Sequence, residues 1–180
     1  MRLKQYINEL SMKANTNITS RGSQGNYEGF RIDIDDGEAY EVDIYKGSGV
    51  FSLANTDKYG KDSFMFLEKW DIYFSDAKTG AIEKLESEPQ KPKTALKLFA
   101  AIEAIMKSFI KNKRPEAMSF SGLGKSKVKL YDMLAKKIIK GGYVGYSVNA
   151  KYRPAKDYEF IRKDLITKHT VENPKYKKIG

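Results

Sequence analysis

At 180 residues, with 41% apolar and 12% aromatic side chains, the chain has the size and composition to build one hydrophobic core and is too apolar for a disordered polymer. The absence of cysteine excludes disulfides and thiolate metal sites, and no run approaches the roughly 18 apolar residues that a membrane-spanning helix needs. The net charge of +10 is unevenly spread: residues 101–180 carry 19 Lys/Arg against 7 Asp/Glu, which leaves 14 against 16 in residues 1–100.

Residues 1–12 show Leu3, Tyr6, Ile7 and Leu10 at helical spacing, which predicts a short amphipathic helix. The stretch Asn15 to Asn26 is rich in Asn, Ser, Thr and Gly and reads as a linker, so the folded body is expected to begin near Tyr27. Phe30, Ile32 and Ile34 alternate with polar residues, as do Tyr40, Val42 and Ile44, and Asp36-Gly37 stands between them; the pattern predicts a hairpin. Gly47–Gly49 reads as a loop before a short apolar run, Val50, Phe51 and Leu53. Phe64, Phe66, Trp70, Ile72 and Phe74 share one parity and predict a long strand.

Thr94 to Lys111 is the strongest helix, with Ala95, Leu98, Phe99, Ile102, Ile105, Met106 and Phe109 on one stripe. Met118 to Phe120 predicts a short strand, Ser126 to Lys140 a second helix stopped by Gly141-Gly142, and Tyr143–Val148 and Tyr158–Ile161 two last strands. The expected organisation is a helix and linker over residues 1–26, a single α+β domain over residues 27–172, and a basic tail over residues 173–180. The expected sheet is mixed and mostly antiparallel, with two main helices packed on it.

Three groupings bear on chemistry. The segment Ser119-Phe120-Ser121-Gly122-Leu123-Gly124-Lys125-Ser126 ends as a phosphate-binding loop does, yet Ser119 replaces the first glycine of that pattern, and only 54 residues follow. An NTPase is therefore not expected, and the loop reads either as a weak phosphate attractor or as an ordinary connection with a basic cap. Lys125, Lys127, Lys129, Lys136, Lys137 and Lys140 fall on or beside the outer face of the second helix; Lys111, Lys113 and Arg114 precede it, and Lys151, Arg153 and Lys156 follow. Together they suggest a surface that grips phosphates without reading sequence, with Tyr143, Tyr146 and Tyr152 interleaved to stack on bases. A solvated lysine face is the equal alternative. The carboxylates Asp33, Asp35, Asp36, Glu38, Glu41 and Asp43 read as the wet face of the hairpin, opposite Arg31 and Lys46, and no metal site is expected. His169, the lone histidine, has no placed acid or nucleophile beside it.

Thr94–Val148 resembles the later part of the GNAT acetyltransferase fold, through its long apolar helix, short strand, Lys127-Val128-Lys129-Leu130-Tyr131-Asp132-Met133-Leu134 and Gly142-Tyr143. The resemblance implies a GNAT-like α+β fold, acetyl-CoA as cofactor and Tyr131 as general acid. The family's glycine-bearing pyrophosphate loop should fall near residues 86–93, where this chain has two prolines and no glycine. That departure removes the amides that would hold the cofactor's phosphates, so no cofactor is expected.

The segment Ser126-Lys127-Val128-Lys129-Leu130-Tyr131-Asp132-Met133-Leu134-Ala135-Lys136 together with Phe120-Ser121 also resembles uncharacterised tailed-phage proteins. Leu3-Lys4-Gln5-Tyr6-Ile7-Asn8-Glu9 resembles the short tags of proteins packaged in large phage heads, which would be cut after Glu9. These resemblances imply a phage-encoded basic domain without catalysis. It would dock on a head protein through residues 1–12 and bind nucleic acid or another polyanion through its basic surface. The alternatives are an acyl-CoA-dependent N-acetyltransferase and a host-directed inhibitor that binds a protein. The first residues lack the continuous apolar stretch of a secretory signal, so the expected location is the host cytoplasm or the virion, with no membrane partner.

Overall fold

The computed structural model describes residues 16–34, 37–53, 63–77, 92–123, 125–149, 155–166 and 177–179. The helix expected over residues 1–12, with its docking role and cleavage after Glu9, lies outside the described residues, as do Asp35, Asp36 and His169.

The elements in chain order are β1 (Asn17–Gln24), β2 (Tyr27–Ile34), β3 (Glu38–Leu53), β4 (Ser63–Asp76), α1 (Pro92–Lys113), β5 (Ala117–Leu123), α2 (Lys125–Lys140), β6 (Tyr143–Asn149), β7 (Ala155–Arg162), a 3-10 turn (Lys163–Leu165) and β8 (Lys177–Lys178). The strands form one eight-stranded sheet in the order β1-β2-β3-β4-β5-β7-β6-β8. β7 lies antiparallel between β5 and β6, so the crossover β5-α2-β6 joins two strands of like direction that do not touch.

The GNAT-like expectation is corrected here: 57% of the described residues are strand, in an eight-stranded mixed sheet with only two helices. Strand was hidden where side chains gave no period. The expected linker is β1, of which only Ile18 and, partly, Gly22 leave solvent, yet Asn17 to Gln24 pair with β2 along their length, broken only by a bulge at Arg21. The expected loop Gly47–Gly49 lies inside β3. A ladder is made by backbone groups, so a Gly/Ser stretch beside a formed strand joins it without any apolar alternation.

The chain divides into two compact units, residues 1–45 with 72–114 and residues 46–71 with 115–180; β3 and β4 run through both. In the first, Phe30, Ile32 and Ile34 of β2, Tyr40, Val42 and Ile44 of β3, and Ile72 and Phe74 of β4 are buried, as are Leu98, Ala101, Ile102, Ile105, Met106 and Phe109 of α1. The hairpin and helix stripe expected from period 2 and period 3.6 are thus the two sides of one core. Glu28, 4% exposed, shares it: its carboxylate takes Lys113 Nζ at 2.8 Å and the Ser23 hydroxyl at 2.8 Å.

In the second unit α2 covers one face of β5, β7 and β6. Phe120 stacks on Tyr158 and Phe160 with ring centroids 4.9 and 5.4 Å apart, and Leu134, Ala135 and Ile138 close over them. The opposite face buries Leu67, Ala117, Tyr146 and Ile161. The strand expected over Phe64–Phe74 is β4, on which Phe66 shares the parity of Trp70 yet is 76% exposed, while Leu67 is buried on that second face. No described helix is long and apolar enough to cross a membrane.

Candidate functional site

The basic helix is built from its spacing. At 100° per residue, Leu134, Ala135 and Ile138 define the inward side of α2, and positions 125, 129, 136 and 140 fall within one narrow stripe on the opposite side. All four are lysine. Lys136, Lys137 and Lys140 are exposed, and among the described residues Lys136 and Lys140 have no ion-pair partner. Position 127 falls on the row of Leu134, away from the stripe. The one carboxylate on the helix, Asp132, is turned to the sheet: it takes Lys156 Nζ at 2.7 Å and the Tyr158 hydroxyl at 2.9 Å. Burial, then that hydrogen bond, raises the Tyr158 phenol well above its ordinary pKa, so it stays a donor. This contact clamps α2 to β7 and engages the helix's one carboxylate with the sheet.

The other basic residues are distributed differently. Lys113 is committed to buried Glu28, and Lys111 and Arg114 lie exposed at the end of α1 in the first unit. Lys151 and Arg153 lie outside the described residues. The tyrosines expected to stack on bases are corrected by burial: Tyr143 is 2% exposed and donates to the Pro115 carbonyl, Tyr146 is 8% exposed, and Tyr152 lies outside the described residues.

The glycine loop is no loop. Ser119 to Leu123 are β5, paired with β7 from Glu159 to Ala155, and α2 starts at Lys125. The backbone of Ser119 to Leu123 is spent on the ladder, and Gly124 lies outside the described residues. Gly122 is there for close packing, since the Tyr131 ring lies where a Cβ would stand. Tyr131 also packs on Phe120, 5.8 Å between centroids, which makes the tyrosine that the acetyltransferase resemblance singled out part of the α2 seam.

Sequence reasoning missed a polar row on the opposite face of the second unit. β4 contributes Lys69 and Asp71, β5 contributes Ser119 and Ser121, and β7 contributes Asp157 and Glu159. Lys69 Nζ lies 3.2 Å from Asp71 and 3.7 Å from Glu159; Ser119 donates to Asp71, and Ser121 donates to Asp157 at 2.6 Å. Burial, more than Asp71 and Asp157, raises the Glu159 carboxyl above its usual range, and Lys69 only partly opposes this. Both serine hydroxyls donate to carboxylates, so the row satisfies its own hydrogen bonds. The signal was present as an i, i+2 polar pair on each strand, but only the strand order brings the pairs together.

The hairpin carboxylates are held as ion pairs: Arg31 meets Asp33 at 2.8 Å, and Arg21 meets Glu41 at 2.8 Å and Asp43 at 3.2 Å. Lys46, expected opposite them, meets Glu68 at 2.7 Å instead. Among the described residues no group of His, Cys, Asp or Glu is placed to hold a metal ion. Compared with known proteins, the chain matches no protein-family model and no curated protein.

Proposed function

We propose that the chain binds nucleic acid, or another polyanion of similar charge density, through the outer stripe of α2. The observation that carries this is the exposure of Lys136 and Lys140 opposite the buried side of a helix whose one carboxylate is engaged by Lys156 and Tyr158. Cations arrayed along a helix neutralise successive phosphates and release counterions, which gives affinity without sequence preference. The absence of stacked, exposed aromatics on that helix favours backbone contact over base contact. Carriage in a phage head rests on residues 1–12 and is a separate proposal, tested by whether that segment alone brings a fused reporter into heads.

Fluorescence anisotropy of a labelled DNA duplex, titrated with the full chain over a series of salt concentrations, tests the reading. Four phosphate contacts predict a logarithmic salt slope of about −3.6. Lys136→Ala with Lys140→Ala should flatten the slope by about 2 and weaken binding to all sequences alike. A double variant that binds with the slope and affinity of the parent chain would overturn the assignment.

A further inference from the structure

We infer that the face of the first unit's sheet that turns away from its buried core is a contact surface for a second copy of this chain. Tyr27, Tyr45 and Tyr73 stand on the neighbouring strands β2, β3 and β4, at positions alternate to the buried Phe30, Ile44 and Ile72. Tyr27 and Tyr45 have centroids 5.0 Å apart, Tyr45 and Tyr73 5.9 Å, and Tyr45 and Tyr73 remain 47% and 46% exposed. The ladder is held in place from below. Tyr27 lies across Gly29, where a Cβ would collide with its ring, and its hydroxyl donates to Asp43 at 2.7 Å. The rings therefore lose little freedom on being covered, which is the property of aromatic residues that anchor interfaces.

Charge selects the occupant. The same face carries Arg21 and Arg31 together with Asp33, Glu41 and Asp43, in pairs that remain partly open to solvent. A polyanion laid there meets three carboxylates, and a polycation meets two guanidinium groups. A copy of the face turned about a two-fold axis meets its own complement, because each arginine can face a carboxylate of the other copy while the tyrosines meet at the centre. Neither the stripe on α2 nor nucleic acid is involved, so this inference stands or falls independently of the proposed function.

Sedimentation equilibrium of the full chain at concentrations up to about 100 µM, the weak end of specific association, tests it. The expected result is a monomer–dimer equilibrium. Tyr45→Ser with Tyr73→Ser, and separately Arg31→Glu at an exposed position, should each weaken it by about tenfold or more. Phe66→Ser, which removes the most exposed of the large apolar side chains described, should leave it unchanged. A monomer throughout the range overturns the inference. So does a dimer that survives Arg31→Glu in a chain whose circular dichroism matches the parent, or one lost with Phe66→Ser alone.

Discussion

Tyr27 shows how much one side chain can report on its surroundings. Burial comes first, then the hydrogen bond to Asp43, and together they push its phenol from 10.0 up to about 12. The folded pKa lies above the unfolded one, so the protonated phenol favours the fold. That contribution is complete below about pH 10 and is lost as pH rises from there through about 12. Urea unfolding between pH 9 and 12 should show a fall in stability that Tyr27→Phe reduces without abolishing, because the Tyr158 phenol is raised as well, and the tyrosinate absorbance per tyrosine of the folded chain should rise later than that of Tyr27→Phe. A fall of the same size in Tyr27→Phe would assign the loss to other groups. The Arg21 guanidinium works against the shift, and it is outweighed because it is divided between Glu41 and Asp43.

Between elements, the ion pair of Glu28 and Lys113 joins β2 to the last turn of α1, with the Glu28 side chain 5% exposed and that of Lys113 36% exposed. Lys113→Met strands a buried carboxylate, with only Ser23 left among the contacts described above, and should cost about 2–3 kcal/mol of unfolding free energy, discounted from a fully buried pair because water reaches the lysine. Adding Glu28→Gln should restore most of that loss, whereas Lys136→Met on the open stripe should stay within about 0.5 kcal/mol of the parent chain. Equal effects of Lys113→Met and Lys136→Met in chemical denaturation would show that the pair carries no weight. Lys113 was grouped with the lysines expected to meet phosphates because sequence displays charge and hides its partner. The helices α1 and α2 were legible, since a 3.6-residue apolar stripe repeats over several turns. The hairpin of β2 and β3 was legible because alternation survives on a sheet with one buried face. β1 was not, since its partner supplies the pairing and only Ile18 reports burial. In β4 shared parity was enough to mark the strand but not its environment: Trp70, Ile72 and Phe74 are buried and Phe66 is exposed, because the second unit buries apolar residues on both faces of its sheet. The polar row failed for a related reason: its six residues come from three strands, and nothing in the order of β4, β5 and β7 along the chain announces that they are neighbours.

Over the whole molecule, a net charge of +10 opposes compaction, and its concentration after residue 100 makes that opposition local. Lysines retained without carboxylate partners raise the free energy of the fold in dilute salt, a cost that a binding surface imposes and a solubilising surface could avoid by interspersing acids. Replacing Lys136 and Lys140 by glutamate lowers the charge from +10 to +6 and sets an acidic group among the remaining lysines of the stripe. The variant should therefore be more stable than the parent chain in dilute buffer, and the difference should shrink as salt rises through about 0.15 M, where the screening length falls to about 8 Å. It should also lose affinity for duplex DNA across the same salt range. Thermal unfolding of both chains at several salt concentrations, read beside anisotropy, separates the alternatives. Stability gained while binding is lost is the signature of a charge array held against its own repulsion for a polyanion. Stability lost in the variant at every salt concentration would mean that these lysines support the fold, and the stripe would then be an ordinary helix surface.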